Sequence, residues 1–387
     1  MSGTQAREIG VQSPLRILYV ISALRTVRAG TEGHLLRLLK HLDRTLFEPH
    51  LAVLQESPGV QHFRELEIPV QVLGFQSFKR LRDWRCIGQL ASSMRRTRPQ
   101  IVELHFTDAH FVGALAARLA GVPSVVSCRR DLGHQYGRKE LLLNKLGNRF
   151  VTRFLANSRA VVRRMGELEG LPAERFDVIP NGIDLPLYDR QAREDPLDSF
   201  IRHSRGKRVV AVVANLRPVK NHSGLLRAVQ RVCREVDDVV FVMIGDGSLG
   251  SSLQERAAEL QVSDRILWLG SVAAPAAYLT RSHIGCLASH SEGFSNAILE
   301  YMAGRLPVVA TRVGGAEEAV LEGDTGLLVD PGDMDGLGHQ LVALLRDPTL
   351  SRRMGASGRA AVERDFTLQA QLIAYQRFCW KQQKGAL

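Results

Sequence analysis

The feature that most constrains this chain of 387 residues is a short polar turn between an apolar run and a helix. Residues 284–288 are apolar and have the length of a buried strand. Apolar residues then recur at helical spacing over 297–302, so a helix is predicted to begin near Asn296. Free amides and the helix dipole meet at such a point and favour an anion. We therefore predict a diphosphate-binding turn in an α/β domain.

Two glutamates bracket this turn. Glu292 falls within it, and Glu300 follows after seven residues, more than one helical turn into the helix. At this spacing the two carboxylates cannot face each other as a catalytic pair. Each carboxylate can instead accept hydrogen bonds from a different part of one ligand, which suits vicinal sugar hydroxyls.

The residues around and after this pair carry a resemblance to a known family. They are the two glutamates with Pro-Val-Val-Ala-Thr at 307–311, Gly314-Gly315, Glu318 and Thr-Gly-Leu-Leu-Val at 325–329. This set resembles the donor site of the retaining GT-B glycosyltransferases of family four. The resemblance implies an α/β fold of two facing Rossmann-like domains with an interdomain cleft. It also implies that Glu300 holds the ribose, that Glu292 holds the sugar, and that the diphosphate lies on the amides of Gly293, Phe294, Ser295 and Asn296.

Strand and helix signals alternate along the whole chain, as expected for parallel sheets covered by helices. We predict an N-terminal acceptor domain at 1–186, a polar linker at 187–207 and a donor domain at 208–365. The resemblance implies that a final helical segment at 366–387 packs back on the first domain.

Two cations follow the predicted strand 209–214. Arg217 and Lys220 are suited to hold a diphosphate leaving group in place of a metal ion. Family members carry Gly-Arg-Leu at the positions of residues 214–216, so the guanidinium is expected to be displaced to Arg217. Residues 245–250 match G-x-G-x-x-G, but the loop does not open the first βαβ unit, which argues against hydride transfer. The resemblance places Gly245 near the nucleotide.

Three candidates lie in the first domain. The family has a Gly-Gly-Ala-Glu-like loop where this chain reads Ala-Gly-Thr-Glu at 29–32, so Gly30 is expected near the donor phosphates, with a plain tight turn as the alternative. His105 ends a strand and is either a sugar or acceptor contact or a structural histidine. Arg129 stands where many relatives have an active-site histidine. Because arginine cannot act as a base, we predict that Arg129 clamps a carboxylate or phosphate.

Charge is unevenly placed, since nearly all of the formal net charge of +11 lies in the first 186 residues. This predicts an anionic membrane surface or a phosphate-bearing lipid as partner. Residues 129–164 read either as a basic amphipathic segment on that membrane or as a core-facing helix with a solvated basic face. No recognised motif or aromatic stacking pattern supports nucleic acid.

The five cysteines are widely spaced and contain no C-x-x-C pair, so we expect neither disulfides nor a thiolate metal site. We assign no metal and no cofactor beyond the nucleotide sugar as co-substrate. The first fifteen residues lack an apolar h-region and no apolar run has the length of a membrane span. The expected location is the cytoplasm, with peripheral contact on the inner face of the cytoplasmic membrane.

Together these features predict a retaining, metal-independent transfer of a hexosyl unit to an acceptor hydroxyl of a lipid-linked or cell-envelope precursor. A UDP-sugar is favoured over a GDP-sugar, while the sugar, acceptor, linkage and oligomeric state stay open. The alternatives are a nucleotide-sugar epimerase or phosphorylase on the same fold, or a non-catalytic scaffolding subunit.

Overall fold

A computed structural model describes residues 13–26, 30–134 and 136–384. The chain divides into two α/β units. Unit 1 contains the described residues up to Asn157, then Val161–Ile179 and the described residues from Leu372 onward. Unit 2 contains Ser158–Ala160 and Pro180–Gln371.

Unit 1 is built on a seven-stranded sheet in which every neighbouring pair is parallel. Its strands are β1 (Leu15–Ile21), β2 (Phe47–Val53), β3 (Val70–Val72), β4 (Ile101–His105), β5 (Ser124–Arg129), β6 (Arg153–Ala156) and β7 (Phe176–Val178). Their spatial order is β3-β2-β1-β4-β5-β6-β7. The helices up to the end of this sheet are α1 (Gly30–His41), α2 (Val60–Arg64), α3 (Arg85–Thr97), α4 (Thr107–Ala120), α5 (Arg138–Gly147) and α6 (Arg159–Glu169).

Unit 2 is built on a six-stranded parallel sheet. Its strands are β8 (Arg208–Val213), β9 (Val239–Ile244), β10 (Ile266–Gly270), β11 (Ile284–Leu287), β12 (Val308–Thr311) and β13 (Gly326–Val329), in the order β10-β9-β8-β11-β12-β13. The helices from Leu185 to Asp365 are α7 (Leu185–Gln191), α8 (Asp198–Ser204), α9 (His222–Glu235), α10 (Gly250–Glu259), α11 (Pro275–Leu279), α12 (Asn296–Ala303), α13 (Ala316–Ala319), α14 (Met334–Arg346) and α15 (Pro348–Asp365).

Residues 187–207, which we predicted as a polar linker, differ from that prediction. They contain most of α7 and all of α8, and they belong to unit 2. Tyr188 and Phe200 are buried, and the Phe200 ring packs edge-on against Tyr278 with centroids 5.2 Å apart. The polar composition concealed a few apolar residues that lie on the buried side of each short helix.

The last helix, α16 (Leu368–Lys384), belongs to unit 1 from Leu372 onward. The Trp380 ring packs on Phe47, with centroids 5.6 Å apart, and the Tyr375 hydroxyl donates a 2.6 Å hydrogen bond to Glu103 on β4. Unit 1 is therefore assembled from two stretches of chain that are distant in sequence. Among the described residues, no helix combines the length and apolar character needed to cross a bilayer.

Each sheet has one point where the strand order reverses, between β1 and β4 in unit 1 and between β8 and β11 in unit 2. Open parallel sheets bind ligands outside the carboxyl ends of the strands at this point, because the loops on either side lead away in opposite directions. In unit 2, the loop 214–221 follows β8 and the turn 288–295 follows β11. Arg217, Lys220 and Glu292 lie on these two segments, and Glu300 lies on α12, which follows the second of them.

Candidate functional site

The crevice of unit 2 begins where β8 and β11 separate, and Tyr301 of α12 holds them apart. The two strands pair only at Ile284–Val210 and Gly285–Ala211. Beyond that, the Tyr301 hydroxyl accepts the Val213 N–H at 2.6 Å and donates to the Cys286 carbonyl at 3.0 Å. The buried phenol thus replaces the next rungs of the ladder. Gly285 makes room for it, since a Cβ there would lie 2.2 Å from the ring.

Replacing Tyr301 by phenylalanine is expected to destabilise unit 2 by about 1–3 kcal/mol, because the buried Val213 N–H loses its acceptor. Urea denaturation measures this loss. Tyr278→Phe is a matched control, since the Tyr278 hydroxyl accepts only a longer 3.3 Å hydrogen bond from Leu197 N–H. Equal stability of the two variants would show that the hydroxyl does not hold the strands apart.

The turn after β11 contains a paired carboxylate. Glu292 Oε1 accepts a hydrogen bond from the Ser289 hydroxyl at 2.7 Å and another from the Lys220 ammonium. The side chains of Glu292 and Lys220 are mostly buried, with 12% and 21% exposed. The His290 N–H also donates to the Val219 carbonyl at 2.8 Å, which fixes the two segments together. The structure therefore brings Lys220 and Glu292, 72 residues apart, into one site.

Glycines shape the back of this turn. Gly314 has φ +57°, and a Cβ there would lie 1.7 Å from the Glu292 carbonyl oxygen. The Gly315 N–H donates to the Gly293 carbonyl at 2.8 Å, and the Ser158 hydroxyl donates to the same oxygen at 2.8 Å. The Gly-Gly pair is thus required for close backbone approach. The two hydrogen bonds fix the orientation of the Gly293 carbonyl.

The amide groups at the start of α12 have no side-chain cap from Ser295, which is the N-cap residue. Asn181, which is not among the predicted site residues, donates to the Phe294 carbonyl at 3.2 Å and to Asn296 Oδ1 at 2.7 Å. The side chain of Phe294, by contrast, is buried against Phe366 with centroids 5.8 Å apart. The predicted donor contact of Phe294 is therefore restricted to its backbone.

Two further predicted donor contacts lie around the same crevice. Glu300 is half-buried on α12, where its charge and, above all, burial raise the pKa of Tyr188. Arg217 is exposed in the loop after β8, and its side chain makes no hydrogen bond or ion pair to the part of the chain that the structure describes. Its guanidinium is available to a ligand.

Gly245 follows β9 and packs against the loop that carries Arg217. Its φ is +141°, and a Cβ would lie 2.1 Å from the Ala214 carbonyl oxygen. In the same loop, a Cβ at Gly247 would lie 2.5 Å from the Leu216 carbonyl oxygen. Both positions need glycine because the backbone packs closely against the loop that follows β8. The predicted place of Gly245 near the nucleotide stays a prediction.

The structure corrects the prediction that Arg129 clamps a substrate anion. Its guanidinium is 3% exposed and donates to both oxygens of Glu169, at 3.2 and 3.0 Å, to Ser127 at 2.6 Å and to Asn148 at 3.1 Å. Although burial opposes its charge, Glu169 raises the pKa of Arg129. The buried side chain already has a carboxylate partner within unit 1, so the predicted clamp on a substrate anion is wrong for Arg129.

Other cations lie nearby in unit 1. His34 and Arg37 are one turn apart on α1, and Arg130 directly follows β5. Burial, together with the charge of Arg37, lowers the pKa of Arg130 to about 10, although Cys128 and Glu103 oppose this effect. Burial, Arg130 and Arg37 also lower the pKa of His34 well below its usual value. His34 is therefore neutral, and Arg37 and Arg130 form a cationic pair beside it that favours an anion. The sequence analysis missed this pair, for which the i, i+3 spacing of His34 and Arg37 is the sequence signal.

His105 ends β4 and is 1% exposed, with Nε2 lying 3.0 Å from Glu103 Oε1. Glu103 also accepts hydrogen bonds from the Tyr375 hydroxyl at 2.6 Å and the Cys128 thiol at 3.1 Å. Burial favours the neutral acid, yet these contacts keep the pKa of Glu103 below its usual value. Among the described residues, Glu103, His105 and Cys128 group like metal ligands, but Glu103 already accepts from Tyr375 and Cys128 and pairs with His105. The structural reading of His105 is favoured.

Gly30 is the first residue of α1 and has φ +71°, with open space where a Cβ would lie. The positive φ explains the glycine as a helix-start residue. Ala29, the first residue of the predicted phosphate loop 29–32, lies outside the described residues. The predicted contact of Gly30 with donor phosphates stays a prediction.

Two Rossmann-like parallel sheets, the second with cations and a glycine-backed turn at its reversal point, define the GT-B class of fold. Family models agree, with "Glycosyltransferase Family 4" matching residues 28–186 and "Glycosyl transferases group 1" matching residues 195–361. The chain belongs to family four of the retaining GT-B glycosyltransferases.

Individual relatives are more distant. N-acetyl-alpha-D-glucosaminyl L-malate synthase of Bacillus anthracis is 32% identical over 53% of this chain and 53% of its own, so the chain spans about half the length of that relative. The GDP-mannose-dependent alpha-(1-6)-phosphatidylinositol monomannoside mannosyltransferase of Mycolicibacterium smegmatis is 29% identical over 70% of this chain and 74% of its own. The crystal structure of Anabaena HepE in complex with UDP superposes with a TM-score of 0.81 at 22% identity, covering 96% of this chain and 100% of that chain. At that identity the superposition supports the fold and nothing further.

Proposed function

We propose that the protein is a retaining glycosyltransferase that moves a hexosyl unit from a nucleotide-diphosphate sugar to an acceptor hydroxyl. The observation that carries this proposal is the Lys220–Glu292 pair at the reversal point between β8 and β11. It places a cation, a carboxylate and the start of α12 around one crevice. Phosphate, sugar hydroxyls and a helix N-terminus are complementary to these three groups.

Departure of the diphosphate is the step that the cations of this site assist. As the bond from the anomeric carbon to the phosphate oxygen breaks, negative charge grows on the diphosphate. Lys220, Arg217 and the amides of Gly293 to Asn296 stabilise that charge in a preorganised site. The acceptor oxygen forms the new glycosidic bond, and its proton passes to the departing diphosphate. In this scheme transfer needs no metal ion.

The two glutamates have different tasks in the proposal. Because Oε1 of Glu292 accepts from Ser289 and Lys220, its Oε2 is left to accept hydroxyls of the sugar ring. Glu300 lies just beyond the first turn of α12 and accepts hydrogen bonds from the ribose hydroxyls. This division follows from the different positions of the two carboxylates along the crevice.

A UDP-sugar is the proposed donor and a lipid-linked or cell-envelope precursor the proposed acceptor. The structural neighbour from Anabaena was solved with UDP, although the mycobacterial relative is named for GDP-mannose. That relative is also named for a phosphatidylinositol monomannoside, and the cationic pair of Arg37 and Arg130 suits an acceptor phosphate. Contact with an anionic membrane belongs to the same proposal. Epimerase, phosphorylase and scaffolding functions are not favoured by these relatives.

The proposal is tested by thermal shift with UDP, GDP, ADP and their sugars, with and without chelator, since a ligand that binds only the folded state raises its stability. We expect a chelator-insensitive shift with a uridine nucleotide. Release of UDP only when an acceptor is present then distinguishes transfer from epimerisation. Cleavage that depends on inorganic phosphate would indicate a phosphorylase instead.

Glu300→Ala is expected to weaken nucleotide-sugar binding by about tenfold to a hundredfold, because it removes a charge-assisted contact to the ribose. Titration calorimetry measures the change in Kd. Glu317→Ala, which removes an exposed carboxylate paired with Arg312, is the matched control and should bind normally. Wild-type affinity in Glu300→Ala would remove the ribose assignment.

A further inference from the structure

A turn between β3 and α3 exposes apolar side chains among cations. Leu81 is 89% exposed and Trp84 41% exposed in the 3₁₀ turn Leu81–Trp84. Lys79, Arg80, Arg82 and Arg85 flank them and are all exposed. A single exposed leucine is ordinary on a protein surface. A leucine and a tryptophan between four cations form a more specific pattern.

Helix α5 presents the same combination. Arg138, Leu142 and Lys145 are spaced by four and three residues, so they lie on one side of the helix, and all three are exposed. Leu142 is 59% exposed and adds a further exposed apolar side chain to Leu81 and Trp84. The neighbouring Lys139 is also exposed.

Phe78 joins the turn to α5. Its ring lies 5.8 Å from that of Trp84, measured between centroids, and the Lys139 ammonium lies 5.4 Å from its centroid. The Trp84 indole N–H donates to the Phe78 carbonyl at 3.1 Å. Because both segments contact one side chain, the turn 79–85 and the exposed side of α5 form one surface, which we call the basic apolar face.

The acids near this face are largely engaged by hydrogen bonds or burial. Asp83 is buried and accepts hydrogen bonds from the backbone N–H groups of Gln76 at 2.8 Å and Ser77 at 2.9 Å, and its other oxygen lies 3.5 Å from Arg82 Nε. Glu140 accepts from the Gly137 N–H at 3.0 Å. Asp108 is half-buried, and burial raises its pKa while Lys139 opposes the rise. The exposed charge is therefore predominantly positive.

We infer that the basic apolar face docks on an anionic lipid bilayer. Leu81, Trp84 and Leu142 enter the boundary between headgroups and acyl chains, while Arg80, Arg82 and Lys145 contact lipid phosphates. Amphipathic surfaces bind anionic bilayers by this combination of buried apolar area and charge attraction. The inference deepens the proposed function by naming the surface through which the enzyme reaches a lipid-linked acceptor. The membrane contact then lies chiefly on the turn 79–85, outside the segment 129–164 that the sequence indicated.

Vesicle sedimentation with the full chain tests the inference. We expect binding to vesicles of phosphatidylcholine with roughly one third phosphatidylglycerol, and binding at least about tenfold weaker to phosphatidylcholine alone or in about 0.5 M sodium chloride. Leu81→Glu combined with Leu142→Glu should reduce binding to the anionic vesicles about tenfold or more. Lipids brominated along the acyl chain should quench tryptophan fluorescence, and Trp84→Phe should remove that quenching.

Leu119→Glu is the matched control, because Leu119 is 53% exposed at the far end of α4 from the Phe78 contact. It should bind vesicles like the wild type. The nucleotide-induced thermal shift should be equal in all these variants, so loss of vesicle binding is distinguishable from failure of the proposed donor site. Equal binding by the double variant, or no binding by the wild type, overturns the inference. Conversion of a wild-type dimer to a monomer by the double variant would assign the face to a second copy of the chain instead.

Discussion

Replacing Arg129 by methionine is expected to lower the free energy of unfolding by about 3–5 kcal/mol, the usual cost of breaking one partner out of a buried ion pair. The variant leaves the buried Glu169 carboxylate with only Asn144 and Asn148 as donors. Chemical denaturation monitored by circular dichroism measures the loss. The effect falls on stability because the Arg129 guanidinium is enclosed in unit 1.

The double variant Arg129→Met with Glu169→Leu is the informative control. Apolar residues of similar size often replace a buried ion pair without loss, so we expect most of the stability to return. Arg153→Met, which removes a half-buried pair with Asp177, should cost far less. If Arg129→Met folds with wild-type stability yet has lost transfer, the substrate clamp predicted from the sequence would have to be reinstated.

Replacing Lys220 by methionine is expected to lower kcat for sugar transfer by about 10²–10³, the range found when one preorganised donor to a developing charge is removed. The ammonium contacts Glu292 within the crevice and is the best-fixed cation there. Because its benefit grows as the diphosphate departs, kcat should fall more than the KM for the donor rises.

Lys381→Met provides a comparison, since Lys381 forms a 3.0 Å ion pair with Asp177 within unit 1. Its kcat should remain within about twofold of wild type. Arg217→Met should lower kcat as well, which tests whether the guanidinium is displaced to this position. Retention of full kcat in Lys220→Met, with normal folding, would refute the assigned role.

Features set by neighbouring residues could be predicted from the sequence. The turn after β11 and the start of α12 are local, and they lie where the apolar pattern changes period. Asp333 directly precedes a run of apolar residues at helical spacing, and its Oδ1 accepts the Gly336 N–H at 2.8 Å as the N-cap of α14. These predictions are confirmed because capping and strand-to-helix turns depend on only a few adjacent residues.

Features set by distant partners could not be predicted. The role of Arg129 depends on Glu169, 40 residues away, and that of Tyr301 on Val213, 88 residues away. A single sequence gives the chemistry of each side chain but not which other side chain meets it. The prediction of a polar linker at 187–207 was wrong for a related reason. Phe200 is buried because it packs against Tyr278, and the sequence does not show that contact.

The two-part composition of unit 1 has a consequence for synthesis on the ribosome. Its strands, β1 to β7, are all synthesised before Pro180–Gln371, the main part of unit 2, but Tyr375 and Trp380 are synthesised only after it. Until then Glu103 lacks the Tyr375 hydroxyl and Phe47 lacks its indole partner. The nascent first domain therefore stays incomplete until the main part of unit 2 has been made.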